Sequence, residues 1–231
     1  RKSTRNGKKL ETKEMKTKPL TFLLALTFLF LFSGSVYGGV LQDADDAYER
    51  GNYKELHRLI LLLAEQGNAK AQYNLGVMYD KGQGVPQDYK EAVKWFRLSA
   101  EQGHATAQFN LGAMYESGLG VSQDYKEAVK WFRLSAEQGD EIAQYNLGQS
   151  YRKGLGVPQD YKEAVKWYRL SAEQGDEIAQ YNLGLMCFYG QGVPQDYVSA
   201  HMWFNLSGSN GYKDAVENRD IIEKKMSPSQ I

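Results

Sequence analysis

Ser150 and Lys153 stand three residues apart in a stretch that reads as helix, which brings a hydroxyl within one turn of an amine. Acyl-transfer chemistry uses such a pair as nucleophile and base. The signal stands alone, because the Ser-Asp-Asn and Lys-Thr-Gly motifs that accompany it in such enzymes are absent from residues 39–231. Ser150 also aligns with Met78, Met114 and Met186, a packing slot. His57, His104 and His201 lie at unequal phases, and none has a second His, Cys or carboxylate at metal-ligand spacing. Cys187 is the single cysteine, so it forms neither an internal disulfide nor a thiolate cage, and it reads as a small core residue. The recurrent Gly-x-Gly pairs follow no strand and open no Lys-Ser/Thr, which leaves a phosphate cradle unsupported. The expectation is a protein that is not an enzyme, with no catalytic centre, metal or cofactor.

Composition narrows the class further. The chain has 231 residues, 42% of them hydrophobic, with 28 Lys/Arg against 28 Asp/Glu and only five Pro, which excludes a disordered or collagen-like chain. The balance hides an asymmetry: residues 1–38 hold eight basic and two acidic residues, leaving twenty basic and twenty-six acidic in 39–231. An acidic body argues against nucleic acid, whose backbone requires a basic footprint.

The basic start has its own logic. Met15-Lys16-Thr17-Lys18-Pro19 precedes thirteen residues, Leu20 to Phe32, made only of Leu, Phe, Ala and Thr. That run is short for a membrane span, which needs about 20 apolar residues, and it ends in small residues with Val36 and Gly38 suited to a peptidase site. Residues 15–38 therefore read as a secretory signal, with the mature chain from about Gly39 and no stable membrane span after cleavage. An uncleaved anchor or a buried helix is the other reading. Residues 1–14 read as sequence upstream of an initiator Met15 and are set apart from the fold.

The remainder repeats itself at an offset of 36, which aligns Tyr73-Asn74-Leu75-Gly76 with the stretches at Phe109, Tyr145 and Tyr181. Asp88 to Gly103 is identical to Asp124 to Gly139. A fixed period of this length indicates a solenoid, and each unit reads as two helices. In the first, Ala71, Leu75, Gly76 and Tyr79 share a face. Gly76 costs about 1 kcal/mol against Ala inside a helix, so close approach of a partner must favour it. In the second helix, Tyr89, Ala92, Val93, Phe96 and Ala100 form the stripe, with Trp95 turned toward a neighbouring unit as core. Asp88 and Glu91 have capping-box spacing. Gly67, Gly103, Gly139 and Gly175 read as left-handed terminators, with Asn68, His104, Asp140 and Asp176 as the next N-caps.

The Leu-Gly of the first helix, the Tyr79-x-x-Gly82-x-Gly84-Val85 turn, the Asp88-Tyr89-x-x-Ala92-x-x-Trp95 start and Ala100-x-x-Gly103 together resemble the Sel-1-like repeat of the tetratricopeptide-repeat superfamily, in its bacterial exported form. The resemblance covers 43 to about 225. It implies an all-α, right-handed α-solenoid of helix-turn-helix repeats with the first helices on the inner wall. The units run 68–103, 104–139, 140–175 and 176–211, preceded by a shorter-turned unit over 39–67 and followed by a capping helix within 212–231. Met226-Ser227-Pro228 resembles the start of a further helix.

In this superfamily the inner wall lines a ligand groove. Its candidate residues are Tyr73, Asn74, Phe109, Asn110, Tyr145, Asn146, Arg152, Tyr181 and Asn182, a row of aromatics beside a row of amides. An Asn offers both a donor and an acceptor to the backbone of an extended guest, and rigid aromatics add contact area. Equally, those amides could tie neighbouring helices together. The resemblance implies an exported scaffold, periplasmic or secreted, that recruits a protein or peptide through the concave groove. A β-lactamase-like hydrolase resting on Ser150-x-x-Lys153 and a structural factor of an envelope complex are the alternatives.

Overall fold

The computed structural model describes residues 38–227, and every regular element among them is an α-helix. Helix α1 occupies 38–49. It is followed by α2 (Tyr53–Glu65), α3 (Ala69–Lys81), α4 (Tyr89–Glu101), α5 (Ala105–Ser117), α6 (Tyr125–Glu137), α7 (Glu141–Lys153), α8 (Tyr161–Gln174), α9 (Glu177–Tyr189), α10 (Tyr197–Ser209) and α11 (Lys213–Glu223). The expected leader lies outside the described residues apart from Gly38, as does Pro228. From α2 onward each helix packs on the next in the chain, the pattern of a solenoid in which a unit meets only its neighbours.

The punctuation is chemical. Asn68, Asp140 and Asp176 each accept the backbone N–H three residues on, at 2.9, 2.8 and 2.6 Å, and His104 does the same through Nδ1 at 3.3 Å. Gly67, Gly103, Gly139 and Gly175 carry φ of +91°, +89°, +95° and +112°, the left-handed turn that ends the second helices. The expected capping box is one-sided. Asp88 Oδ1 accepts from Lys90 N and Glu91 N, but its own N–H donates to Tyr79 O at 3.0 Å, which leaves Glu91 to pair with exposed Lys94. The last turn of α3 thus supplies the acceptor that a reciprocal Glu would have provided.

Two glycine positions set the packing. A Cβ on Gly76 would stand 2.6 Å from Phe96 Cδ1, and Gly112, Gly148 and Gly184 meet Phe132, Tyr168 and Phe204 in the same way. The close approach inferred from sequence is therefore to an aromatic ring of the same repeat. A Cβ on Gly120 or Gly156 would stand 2.2 or 2.1 Å from the carbonyl oxygen of Tyr89 or Tyr125, so each turn rests on backbone of the preceding repeat. Trp131, Trp167 and Trp203 are buried against the apolar side chains of the repeat before their own, the core role expected of them. At the C-terminal end, Glu223 of α11 meets His201 of α10 at 2.9 Å, and Tyr212 lies on Tyr181 with ring centroids 4.9 Å apart.

Candidate functional site

With Leu75, Gly76 and their equivalents buried against the second helices, the adjoining face of α3, α5 and α7 is left half-covered. Asn74, Asn110 and Asn146 lie there, and their side chains make no hydrogen bond to any described residue. Asn182 differs: it is buried, and its amide donates to Ile178 O of its own helix at 2.8 Å. The three open amides do not tie repeats together.

That work falls to a residue type that sequence reasoning missed. Gln72, Gln108, Gln144 and Gln180 are buried, and each donates to the carbonyl of Ala64, Ala100, Ala136 or Ala172 at the end of the preceding helix, at 3.0 to 3.1 Å. The signal was available, since a Gln recurs beside the apolar face in every unit where charge or a small residue would serve a solvated position.

The aromatic row is only half open. Tyr73, Phe109, Tyr145 and Tyr181 lean on Phe96, Phe132, Tyr168 and Phe204 with ring centroids 5.6 to 6.0 Å apart, and Tyr73 also stacks on His104 at 4.8 Å. These rings cover the core and offer one edge outward, which differs from the open row of aromatics expected on the inner wall. Between the first two repeats the face dips into a cavity of about 180 Å³ lined by Asp80, Asn110, Ala113 and Ser117, with Phe96, Met114 and Leu119 also in its wall.

Charge varies along this face. Asp80 and Glu116 occupy the position that Arg152 fills in α7. Burial pushes the Glu116 carboxyl above its usual range, with the positive charge of Lys153 pulling it back. Arg152 donates from Nη2 to Gln149 Oε1 at 2.9 Å and from Nε to the Tyr168 hydroxyl at 3.2 Å, and Gln149 donates to the Tyr145 hydroxyl at 2.6 Å. Burial raises the pKa of both phenols.

The chemical candidates are placed unproductively. Ser150 is 3% exposed and its hydroxyl donates to Asn146 O of its own helix at 2.9 Å, while Lys153 is exposed. Cys187 is buried and its thiol is pushed up by that burial, the reverse of an activated nucleophile. No group of three or more His, Cys, Asp and Glu side chains converges among the described residues. No helix among them is long and apolar enough to cross a membrane.

Helix pairs repeated at a 36-residue period, each docked on its predecessor, define a right-handed all-α solenoid. The Sel1 repeat family matches residues 69–104, 105–140, 142–176 and 178–212, more than half of the chain, and the chain belongs to that family. It is similar to the solved structure of c5321, a protective antigen present in uropathogenic Escherichia coli strains displaying an SLR fold, at 36% identity and a TM-score of 0.77. The match covers 81% of this chain and 42% of the antigen, so the chain spans less than half of that protein's length. It is also similar to a Sel1 repeat protein from Oxalobacter formigenes, at 38% identity, a TM-score of 0.71, and 74% and 71% coverage of the two chains. No curated protein matches the chain. Sel1 repeats serve in general as scaffolds for protein interaction and are typically non-enzymatic.

Proposed function

We propose that the chain is an exported scaffold that holds an extended protein segment along the face formed by α3, α5, α7 and α9. The observation that carries this reading is the row of Asn74, Asn110 and Asn146, whose amides are half-covered and have no partner among the described residues. Solvent-facing amides at a 36-residue repeat can pair with successive peptide groups of a guest, and neighbouring aromatic edges give that guest apolar contact. The cavity beside Asn110 supports the reading by offering a seat for one guest side chain. Export is supported by the basic and apolar sequence of residues 15–38.

The test is a random-peptide display selection on the full chain, followed by titration of a recovered peptide against Asn110→Ala and Asn146→Ala. The expected result is an affinity loss of about 5-fold or more in each variant, from about 1 kcal/mol per lost hydrogen bond, with unaltered melting. Equal affinity for both variants and the parent would remove the groove from consideration.

A further inference from the structure

The four repeats act as controls for one another, and the third departs from the rest at positions that meet in space. Gln149 stands where the others have Val77, Ala113 and Leu185; Arg152 where they have Asp80, Glu116 and Phe188; Tyr168 where they have Phe96, Phe132 and Phe204. All three belong to the hydrogen-bonded chain running Tyr145, Gln149, Arg152, Tyr168. Phe fills the Tyr168 slot in three sibling repeats, so packing alone does not call for a hydroxyl there. Tyr168 is 0% exposed, and its oxygen is spent on Arg152. A guanidinium has five N–H donors, of which two are used here; both on Nη1 and one on Nη2 are free of any described partner. Among the described residues no carboxylate lies within ion-pair distance of Arg152, so a half-covered, oriented cation is left with unspent donors on the candidate groove face.

We propose that Arg152 binds one carboxylate of the guest peptide, with Gln149 and Tyr168 as positioning residues that fix its fork. This rests on the groove reading above. A planar carboxylate can take two parallel N–H bonds from one guanidinium. A phosphate dianion would call for more positive charge than this face holds, where Asp80 and Glu116 occupy the equivalent sites of the two repeats before it. The carboxylate comes from an Asp or Glu side chain or from the C-terminus of the guest.

The experiment is a display selection with random 12-residue peptides bearing free C-termini, run in parallel on the full chain and on Arg152→Gln. The parent is expected to recover peptides with an acidic group at one fixed register, which bind Arg152→Gln at least about 10-fold more weakly, the scale of a charge-assisted pair. Arg152→Lys should keep part of the affinity. Tyr168→Phe, which restores the residue of the sibling repeats, should weaken binding about 2- to 5-fold, from about 0.5 to 1 kcal/mol, with unaltered melting. Amidating the peptide terminus or exchanging its Asp/Glu for Asn/Gln identifies the source. Peptides that bind but lack a fixed acidic group, or that bind Arg152→Gln equally well, overturn the carboxylate assignment and leave the groove standing. Recovery of no groove-dependent peptide overturns both.

Discussion

The carboxamide of Gln174 donates to that of Gln144 across 2.8 Å, and Gln144 passes a hydrogen bond on to Ala136 O at 3.1 Å. The same two-step relay joins Gln102 to Gln72, Gln138 to Gln108 and Asn210 to Gln180. Each relay links the ends of two successive second helices through the first helix between them. Gln144→Leu keeps much of the volume but removes both hydrogen bonds of the relay, each worth about 0.5 to 1.5 kcal/mol, so it should destabilise the chain by about 1 to 3 kcal/mol. Urea unfolding of parent and variant measures it; a loss below 0.5 kcal/mol, the scale of an ordinary surface change, would show that water replaces the relay at no cost.

Glycines with the same backbone handedness should respond unequally to alanine. Gly139 and Gly156 both have positive φ, at +95° and +72°, so each variant carries the left-handed penalty of about 1 kcal/mol. A Cβ on Gly139 meets nothing within 4 Å, whereas one on Gly156 meets Tyr125 O at 2.1 Å. Backbone cannot swing aside as a side chain can, so Gly156→Ala should cost about 2 kcal/mol more than Gly139→Ala. Equal losses in denaturant melts would mean that the turns do not depend on this seat.

Acid should weaken the N-terminal repeats first. Burial lowers the pKa of His57, whose Nε2 is buried without a partner, and of His104, whose Nδ1 must stay unprotonated to cap α5. A His with a folded pKa below its unfolded value favours the folded state fully at higher pH. That contribution is lost as pH falls below about 6.5, until the lower folded pKa is passed. Stability should therefore decline on acidification from pH 7 to 5, and His104→Asp, the cap type of Asp140 and Asp176, should reduce the slope. A pH series of melts with an unaltered slope in His104→Asp would refute the assignment to that cap.

The proposed export is tested at the N-terminus. N-terminal sequencing of chain recovered outside the cytoplasm should begin within a few residues of Gly39. Retention of Leu20 to Phe32 would replace the cleaved leader with an anchor.

Period, helix phase and caps were legible in the residues because each has a local cause: a side chain at its own helix start, a glycine at its own turn. Relations between repeats were less so. Gln72 stands beside Ala71 in sequence, and only three dimensions bring Ala64 O and Gln102 to it. Gly84 read as turn chemistry, yet a Cβ on it would stand 2.1 Å from Tyr53 O at the start of α2. On the candidate face, the Asn row was visible at the right phase, but whether its amides were satisfied depended on side chains of other helices. Exact repetition hid the answer too, because copying preserves packing and surface residues alike. Only departures such as Tyr168 among Phe96, Phe132 and Phe204 carry independent information.

Substitutions at three positions of the second and third repeats separate core, cover and open surface. Trp131 fills the space between repeats, so Trp131→Ala should cost about 3 to 5 kcal/mol through the cavity it leaves. Tyr145 is a cover: its ring lies 5.9 Å from that of Tyr168 and its hydroxyl accepts from Gln149, so Tyr145→Ala should lower stability as well as affinity. Asn146 has neither role. Its amide is half-covered and meets no described partner, so Asn146→Ala should stay within about 0.5 kcal/mol of the parent in stability, the range of a surface change. A thermal melt and a titration with a selected peptide, run on the same three variants, read both quantities. Loss of stability in Asn146→Ala with unchanged affinity of the folded fraction would return that amide to the scaffold and remove it from the groove.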